Sequence, residues 1–352
     1  MTALHVVVPD GIDDPTRPSG GNAYDRQVCR ALAEIGWPVH VHAVPGSWPQ
    51  PDASAYAALA GVVQRIPDGA LALLDGLVAS TAAEVLVPHA KRLRLVALVH
   101  MPLGQDTADS EARTLEGAVL SAAASVVTTS AWSRRTLVEL YSLPGDRVHI
   151  AEPGVDAAPL SPGTTTGGAL LSVAAVIPGK GHDVLLDALA TITDLSWDCL
   201  CVGSTDRDPA FAENLRRRVL DGELADRVRF AGPRINADLD RSYASADLLV
   251  LPSRAETYGM VVTEALARGL PVVAADVGGV TEALGHGAGG IQPGLLVPPS
   301  DPAALAAGLR AWLRDGEVRL AWRRAARERR ASLSGWSTTT SVLAGVLAEA
   351  AR

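Results

Sequence analysis

Cysteine is scarce in this sequence of 352 residues, which contains only Cys29, Cys199 and Cys201. Three thiols cannot form a disulfide framework, and no Cys-x-x-Cys pair supplies the closely spaced ligands typical of structural zinc sites. Cys199 and Cys201 alternate along a predicted strand. We therefore interpret the cysteines as core residues without a metal or redox role.

Long apolar runs are also missing from the chain. No run approaches the roughly 20 residues that a membrane-spanning helix needs. The N-terminus also lacks the basic-then-apolar pattern of a signal peptide. These absences predict a soluble, cytoplasmic protein.

Positive charge is in deficit, because the formal net charge is −8. Binding to duplex nucleic acid requires cationic surfaces that neutralise phosphates, so this balance argues against nucleic acid as the main partner. Lysine occurs only at positions 91 and 180, and arginine supplies the other basic side chains. The scarcity draws attention to Lys180.

Strand-like and helix-like stretches alternate along the chain, which predicts parallel sheets covered by helices. The length favours two domains. We interpret 158–168, which is rich in breakers, as a linker between a first domain, 1–157, and a second, 169–335. A terminal helix, 336–352, is expected to pack back on the first domain. The fold class is therefore α/β, with two Rossmann-like domains facing a central cleft.

The predicted strands are short and mostly apolar. Those of the first domain are 4–8, 39–44, 70–74, 95–100, 125–129 and 148–152. Those of the second domain are 169–176, 197–202, 227–230, 248–251 and 271–274.

The most informative stretch follows the strand at 248–251. It places Glu256 in a loop, Gly259 at the start of a helix and Glu264 inside that helix. The unpaired N–H groups of a helix N-terminus bind anions, and Gly259 lets a phosphate approach the backbone. Two carboxylates nearby can accept hydrogen bonds from hydroxyl groups. A nucleotide sugar has phosphate and hydroxyls in this arrangement.

Other residues near predicted strand ends are candidates for the same ligand. Lys180, between two glycines at a helix start, is placed to pair with a diphosphate as a point charge. The glycine spacing and Lys-Ser/Thr pair of a Walker A loop are missing. Gly203, Arg234 and Ile235 follow strands and are either contacts to the nucleobase or plain turns.

These residues resemble the retaining glycosyltransferases of GT-B fold, of the family-4 or group 1 type. The family carries two glutamates separated by seven residues, a Pro-Ser before them and a double glycine after them. The matching stretches here are Pro252-Ser253, Glu256, Tyr258-Gly259, Glu264-Ala265, Gly269-Leu270-Pro271-Val272 and Gly278-Gly279-Val280-Thr281-Glu282. Weaker matches at Gly20-Gly21, Val99-His100, Pro153-Gly154-Val155-Asp156, Val228 to Gly232 and Ala246-Asp247 extend the resemblance over nearly the whole chain.

The resemblance implies an enzyme that moves a sugar from a nucleotide diphosphate to an acceptor with retention and without a metal or other cofactor. UDP is slightly favoured as the donor nucleotide because such enzymes use it often. The implied catalytic residues are His100, near the reacting carbon, and Glu256, on the sugar hydroxyls. The implied donor-binding residues are Gly21, Lys180, Tyr258, Gly259, Met260 and Glu264.

One departure from the family pattern affects the diphosphate site. The family usually carries Gly-Arg about five residues before the lysine, where this chain has Ala174-Ala175. The departure leaves open a non-catalytic nucleotide-sugar-binding protein, or an epimerase or phosphorylase of GT-B fold. The acceptor, whether small molecule, lipid-linked or glycan, is expected on the loops at 9–21 and 100–106.

Three further patterns have weaker functional interpretations. Asp206 and Asp208 form a D-x-D motif that binds metal in the other large glycosyltransferase fold, but a second Rossmann-like half fits that fold poorly. His40 and His42 share a strand face, and without a third ligand nearby we interpret them as structural or exposed. The arginine-rich helix at 322–330 is interpreted as a solvated face, and a membrane contact is the less favoured alternative.

Arg254 is the nearest candidate to replace the missing arginine, since it lies in the loop after Pro252-Ser253. If its guanidinium binds the diphosphate, Arg254→Ala weakens nucleotide binding because a charge-assisted contact is lost. Isothermal titration with nucleoside diphosphates measures the effect. An affinity equal to that of the unchanged protein contradicts the substitution hypothesis.

Overall fold

The computed structural model describes residues 3–105 and 110–352, so Asp106 of the expected acceptor loop lies outside the described residues. The chain forms two compact units. One contains the chain up to Asp14, Ser19–Gly154 and Ser334–Arg352; the other contains Pro15–Pro18 and Val155–Leu333. No helix in the described ranges is long and apolar enough to cross a membrane.

Strands and helices alternate in both halves of the chain. The first half contains β1 (Leu4–Pro9), α1 (Gly20–Glu34), β2 (Val39–Val44), α2 (Ala53–Arg65), β3 (Leu71–Asp75), α3 (Gly76–Ala79), α4 (Ala83–Leu86), β4 (Arg94–Val99), α5 (Ser110–Ala122), β5 (Ser125–Thr128), α6 (Ala131–Tyr141) and β6 (Val148–Ile150). The second half contains β7 (Ala169–Val173), α7 (His182–Ala190), β8 (Asp198–Val202), α8 (Pro209–Leu220), β9 (Val228–Phe230), α9 (Asn236–Ala244), β10 (Leu248–Leu251), α10 (Met260–Ala267), β11 (Val272–Ala275), α11 (Val280–Leu284), β12 (Gly294–Val297), α12 (Pro302–Arg314), α13 (Gly316–Arg330) and α14 (Trp336–Ala350).

Each unit contains one six-stranded parallel sheet, so the predicted α/β class is confirmed. The strand order is β2-β1-β3-β4-β5-β6 in the first unit and β12-β11-β10-β7-β8-β9 in the second. Central strands such as β3 and β10 are buried along their whole length because helices cover both faces. Such strands have nearly uninterrupted apolar sequences, and for this reason they could be predicted from the sequence.

The start of α1 differs from the prediction. The sequence suggested a loop from Pro9 to Gly21, but the helix begins at Gly20, and a short 3₁₀ turn occupies Asp10–Asp13. Ser19 is the N-cap, and its side chain accepts a hydrogen bond from the Asn22 amide at 3.2 Å. The two glycines therefore form the first turn of α1, because a good cap outweighs their low helix propensity.

Helix α14 belongs to the first unit although it ends the chain. Its Leu343 and Leu347 are fully buried in the same apolar cluster as Leu32 of α1. Thr339 also donates a hydrogen bond to the carbonyl of Glu152 at 2.7 Å. The chain therefore returns to its first sheet after completing the second.

The segment 157–168 forms no helix or strand, and Asp247 fixes its second half. The fully buried Asp247 carboxylate accepts hydrogen bonds from the amides of Thr164 and Ala169 at 2.7 and 3.0 Å. It also accepts one from Arg323 of α13 at 2.7 Å. One carboxylate thus connects the incoming segment, the start of β7 and a distant helix, so this segment is anchored on the second unit.

Replacing Asp247 should destabilise the second unit. In Asp247→Asn the half-buried guanidinium of Arg323 loses its charged partner, and the buried side-chain amide cannot accept from every donor that faces the carboxylate, which costs on the order of 3 kcal/mol. Urea unfolding of purified protein measures the change. Asp194→Asn is the matched control, because Asp194 also pairs with arginine, here Arg310 and Arg314, but its side chain is 49% exposed; this variant should destabilise the protein less than Asp247→Asn. Equal effects of both variants would contradict the anchoring role.

Candidate functional site

The candidate site of the second unit lies where the strand order reverses. From β7 the chain proceeds to β8 and β9 on one side, whereas β10, β11 and β12 lie on the other. Ligands of parallel α/β sheets bind at the carboxyl ends of the strands beside such a reversal. The loops after β7 and β10, which carry the predicted diphosphate residues, both begin at this edge.

The two loops contact each other closely through glycine. A Cβ at Gly181 would lie 2.0 Å from the carbonyl oxygen of Pro252, and the φ of Gly181 is +68°. The amide of Arg254 donates a hydrogen bond to the carbonyl of Gly179 at 2.8 Å. A larger residue at 181 would force the loops apart, so this glycine determines how near Lys180 comes to the loop after β10.

Lys180 and Glu256, predicted separately as donor contacts, form one ion pair. The Nζ of Lys180 lies 2.6 Å from the Oε1 of Glu256, and the side chains are 28% and 13% exposed. Ser253 donates a second hydrogen bond to the same oxygen at 2.8 Å. The pair is charge-assisted and only partly solvated, yet both ends remain within reach of a ligand.

The double glycine after β11 supports the Glu256 backbone. A Cβ at Gly278 would lie 1.6 Å from the carbonyl oxygen of Glu256, and the φ of Gly278 is +55°. The amide of Gly279 donates to the same carbonyl at 3.2 Å. This part of the family motif therefore acts through packing, since only glycine permits the approach.

The N-terminus of α10 points its backbone amides to the same loop. Gly259 precedes it with a φ of +91°, and within the described chain no side chain caps this end. The Tyr258 side chain is 6% exposed and packs in the apolar core. Gly259 and Met260 thus present backbone N–H groups at this end, which together with the helix dipole favour an anion. The expected donor contact of Tyr258 stays a prediction.

Glu264 lies one turn further along α10 and is partly buried. Its Oε2 accepts a hydrogen bond from Tyr243 at 2.7 Å, and Arg268 donates to its backbone carbonyl at 2.9 Å. Burial raises the pKa of Glu264, while the Tyr243 hydrogen bond and the Arg268 charge oppose the rise. The carboxylate is therefore held in one orientation beside the anion site.

Arg254 is engaged by the protein itself. Its guanidinium makes two hydrogen bonds to the Asp183 carboxylate, at 2.8 and 2.7 Å, and one to the carbonyl of Pro178 at 2.6 Å. The Arg254 hydrogen bond lowers the pKa of Asp183. These contacts brace the turn that carries Lys180, and the proposed diphosphate contact of Arg254 stays a prediction.

The predicted nucleobase residues lie at the ends of β8 and β9. A Cβ at Gly203 would lie 1.9 Å from the carbonyl oxygen of Ala174, so this glycine permits close packing against the Ala174-Ala175 segment. Arg234 donates to the Ser242 hydroxyl at 2.9 Å. Ile235 is 39% exposed just before α9 and offers an apolar surface for a base.

A second cluster lies in the first unit, at the reversal between β1 and β3. His100 follows β4, Asp75 ends β3 and Asp25 lies in α1. The Nε2 of His100 is 2.8 Å from Oδ1 of Asp25 and 3.6 Å from Oδ2 of Asp75. Sequence analysis predicted His100 and missed both aspartates. Asp75 could have been found as the polar end of an apolar strand, but nothing local marks Asp25.

Gly21 and Tyr24 pack against His100. A Cβ at Gly21 would lie 3.2 Å from Cδ2 of the imidazole, and the Tyr24 ring meets it edge-on at 5.0 Å. The Tyr24 hydroxyl donates to the carbonyl of Ala151 at 3.0 Å. The glycine loop of the sequence therefore brings α1 against the histidine.

The charges in this cluster shift each other's pKa. Burial and the Asp25 charge raise the pKa of Asp75 to about 8. Burial by itself lowers the pKa of His100, but the charge and hydrogen bond of Asp25 and the charge of Asp75 outweigh it and raise the pKa. Among the described residues, these three form the group whose ligand atoms, all within 4.8 Å, could hold a metal.

The alternative motifs of the sequence have local partners. Asp208 caps α8 by accepting a hydrogen bond from the Phe211 amide at 3.0 Å. In α13, Arg323 binds Asp247, and Arg319 and Arg330 donate to backbone carbonyls of the second unit. His42 and His5 form a hydrogen bond of 2.9 Å between ring nitrogens.

Comparison with known proteins identifies relatives of the chain. The family model described as glycosyl transferases group 1 matches residues 164–329. A D-inositol 3-phosphate glycosyltransferase from Catenulispora acidiphila is 33% identical over 292 residues, which cover 78% of this chain and 68% of that protein. The D-inositol 3-phosphate glycosyltransferase of Jonesia denitrificans is 32% identical over 260 residues, covering 68% of this chain and only 60% of the relative.

Solved structures share the architecture along nearly the whole chain. Sucrose-phosphate synthase from Thermosynechococcus elongatus has a TM-score of 0.81 at 22% identity and covers 99% of both chains. The HepE protein of Anabaena, solved with UDP and glucose, has a TM-score of 0.78 at 19% identity and covers 99% of this chain and 100% of its own. At these identities the likeness shows the fold, which is GT-B. With a 33% identical relative matched over 68% of its length, the chain belongs to the group 1 glycosyltransferases.

Proposed function

We propose that the protein is a retaining, metal-independent glycosyltransferase that moves a sugar from a UDP-sugar to a hydroxyl group of a polyol acceptor. The observation that carries the proposal is the Lys180–Glu256 ion pair beside the uncapped N-terminus of α10. A diphosphate carries the charge that this cation and these amides attract. The relatives with UDP or UDP-glucose bound support the choice of nucleotide.

In the proposed reaction, Lys180 and the amides at Met260 bind the diphosphate. Glu256, released from Lys180, accepts hydrogen bonds from sugar hydroxyls, and Glu264 accepts them from the ribose. The bond between the anomeric carbon and the phosphate oxygen breaks, and the acceptor oxygen bonds to that carbon on the same face. The acceptor proton passes to the leaving diphosphate oxygen, which Lys180 and the helix dipole stabilise.

The proposal of metal independence is supported by the positive charge that the protein itself supplies at the diphosphate site. The leaving group meets a lysine and a helix N-terminus, which provide stabilisation that a divalent cation provides in other transferases. The Asp206-Asp208 motif has a structural role at Asp208, as the cap of α8. The proposal therefore assigns no step to a metal.

The first experiment is a thermal-shift titration with UDP, GDP, ADP and dTDP, each with magnesium or with EDTA. A ligand that binds only the folded state stabilises it by about 2.7 kcal/mol at 100 times its Kd. We expect UDP to raise the melting temperature equally in magnesium and EDTA. A shift that requires magnesium contradicts metal independence, and no shift with any nucleotide contradicts the donor site.

Product analysis then tests the reaction class. With UDP-glucose as donor and D-inositol 3-phosphate, for which the relatives are named, we expect a glucoside with the donor's anomeric configuration by proton NMR. Interconversion of the nucleotide sugar alone indicates an epimerase, and a requirement for phosphate indicates a phosphorylase. UDP binding without turnover of any donor favours the non-catalytic alternative.

Variants of the ion pair separate binding from turnover. Lys180→Ala should weaken UDP binding about 10- to 100-fold because one or two charge-assisted hydrogen bonds are lost. Glu256→Gln should leave UDP affinity unchanged or tighter, since Lys180 loses its competing carboxylate, while turnover falls at least tenfold. Calorimetry and initial rates measure these effects. Lys91→Ala removes the other lysine of the chain and is the control; Lys180→Ala binding UDP as tightly as this control would reject the assignment.

A further inference from the structure

One oxygen of the buried carboxylates beside His100 lacks a hydrogen-bond donor. Asp25 and Asp75 are 3% and 4% exposed at their side chains, and one oxygen of each lies within 4.8 Å of the other and of a ring nitrogen of His100. Oδ1 of Asp25 accepts from His100, but Oδ2 of Asp25 is buried with no hydrogen-bond partner. A buried carboxylate oxygen without a donor is costly, so a donor should be found close by.

The neighbouring carboxyl group can supply that donor. Oδ1 of Asp75 already accepts a hydrogen bond from the Leu77 amide at 2.8 Å. A proton on Oδ2 of Asp75 would be an O–H donor within the cluster, and it would remove the repulsion between two adjacent buried charges. Tyr24 cannot serve, because its hydroxyl donates to the Ala151 carbonyl.

We propose that Asp75 is protonated at neutral pH and donates to Oδ2 of Asp25, whose other oxygen accepts the Nε2 proton of His100. The three residues then form one chain of hydrogen bonds that begins at the end of β3, passes through α1 and ends at the histidine. No described residue makes a hydrogen bond to Nδ1 of His100, so this ring nitrogen is left for a ligand. Asp25 and Asp75 are positioning residues for His100.

This chain of hydrogen bonds determines the protonation state of His100. With Nε2–H held by an ionised Asp25, the imidazolium form is favoured, and Nδ1 then carries a proton and donates to a ligand oxygen. This consequence rests on the proposed function, because it makes His100 a donor to the sugar or its acceptor and not a general base. The direction of the pKa shifts agrees, since the pKa of His100 is raised and that of Asp75 is about 8.

The protonated carboxyl group also makes stability depend on pH. Asp75 has a higher pKa in the folded state than in the unfolded state, where it is near 3.8. Its contribution to stability is therefore fully present below the unfolded value and is lost as the pH rises through the folded value. Between these values one proton is released on unfolding, which changes the unfolding constant about tenfold per pH unit. In the part of the chain that the structure describes, Tyr24 and Cys29 of α1 also sense the charge of Asp25, and burial raises the pKa of both.

Asp75→Asn mimics the protonated carboxyl group, because its amide both accepts from Leu77 and donates to Asp25. We would compare melting temperatures of this variant and the unchanged protein from pH 5.5 to 9. The variant should gain on the unchanged protein by about 3 °C per pH unit from pH 5.5 to about pH 8, because the unchanged protein releases a proton on unfolding throughout this range. Asp68→Asn, at a side chain 82% exposed, is the control and should show a constant difference. A constant difference for Asp75→Asn overturns the proposal.

Two measurements on the ligand-free protein complete the test. If Asp75→Asn does not fold, difference infrared spectra of the unchanged protein should still show a protonated carboxyl group that ionises at alkaline pH; its absence overturns the proposal. The second measurement is NMR of ¹⁵N-histidine-labelled protein, with the His100 signals assigned from the His100→Gln variant. His100 should keep both ring protons above pH 6.5 in the unchanged protein. In Asp25→Asn it should lose one of them at a lower pH than in the unchanged protein. Equal titration in both proteins overturns the role of Asp25.

A metal is the competing explanation of the cluster, and its test is direct. Metal analysis and the same NMR titration would be performed before and after dialysis against EDTA. We expect no bound metal and an unchanged titration, whereas an EDTA-sensitive titration overturns the proton assignment. Because no arm uses a nucleotide, failure here is distinct from failure of the UDP-binding proposal.

Discussion

Parallel strand pairing is the constraint on which both candidate sites depend. In a parallel sheet all strands end at the same edge, so the pairing of the strands by itself brings together residues that are far apart in sequence. At the reversal beside β7 this edge collects Lys180 and Glu256, and at the reversal beside β3 it collects Asp75 and His100. The short central strands are apolar because both of their faces are buried, and the polar groups of the two candidate sites follow directly after them.

Three charged side chains at the edge of the second unit's sheet have partners within the protein. Lys180 is paired with Glu256, Arg254 with Asp183, and Glu264 with Tyr243. A buried or half-buried charge without a partner is expensive, so the ligand-free protein neutralises the groups that a nucleotide sugar would contact. In the proposed reaction, a diphosphate that binds Lys180 releases Glu256 to the sugar, so recognition of the two ends of the donor would be coupled.

The glycines of the family motif have physical reasons that differ from one position to the next. Gly181 and Gly278 allow backbone segments to touch, since a Cβ at either would lie within 2.0 Å of a carbonyl oxygen. Gly259 instead precedes an uncapped helix. Gly181 and Gly278 therefore determine the positions of Lys180 and Glu256.

The sequence by itself determined the parallel α/β class and the placement of most strands within one or two residues, because uninterrupted apolar runs and breakers are local signals. It also marked Lys180, Glu256 and His100 as strand-end residues. It did not reveal β12, whose four residues begin with Gly294 and lie between two prolines, or the Ser19 cap that starts α1 at Gly20. Only the tertiary structure decided that Asp25 reaches His100 and that Asp183 occupies Arg254. Such pairings depend on how the helices pack on the sheet. They cannot be predicted from the spacing of residues within one helix or strand, because that spacing does not specify which distant element lies beside it.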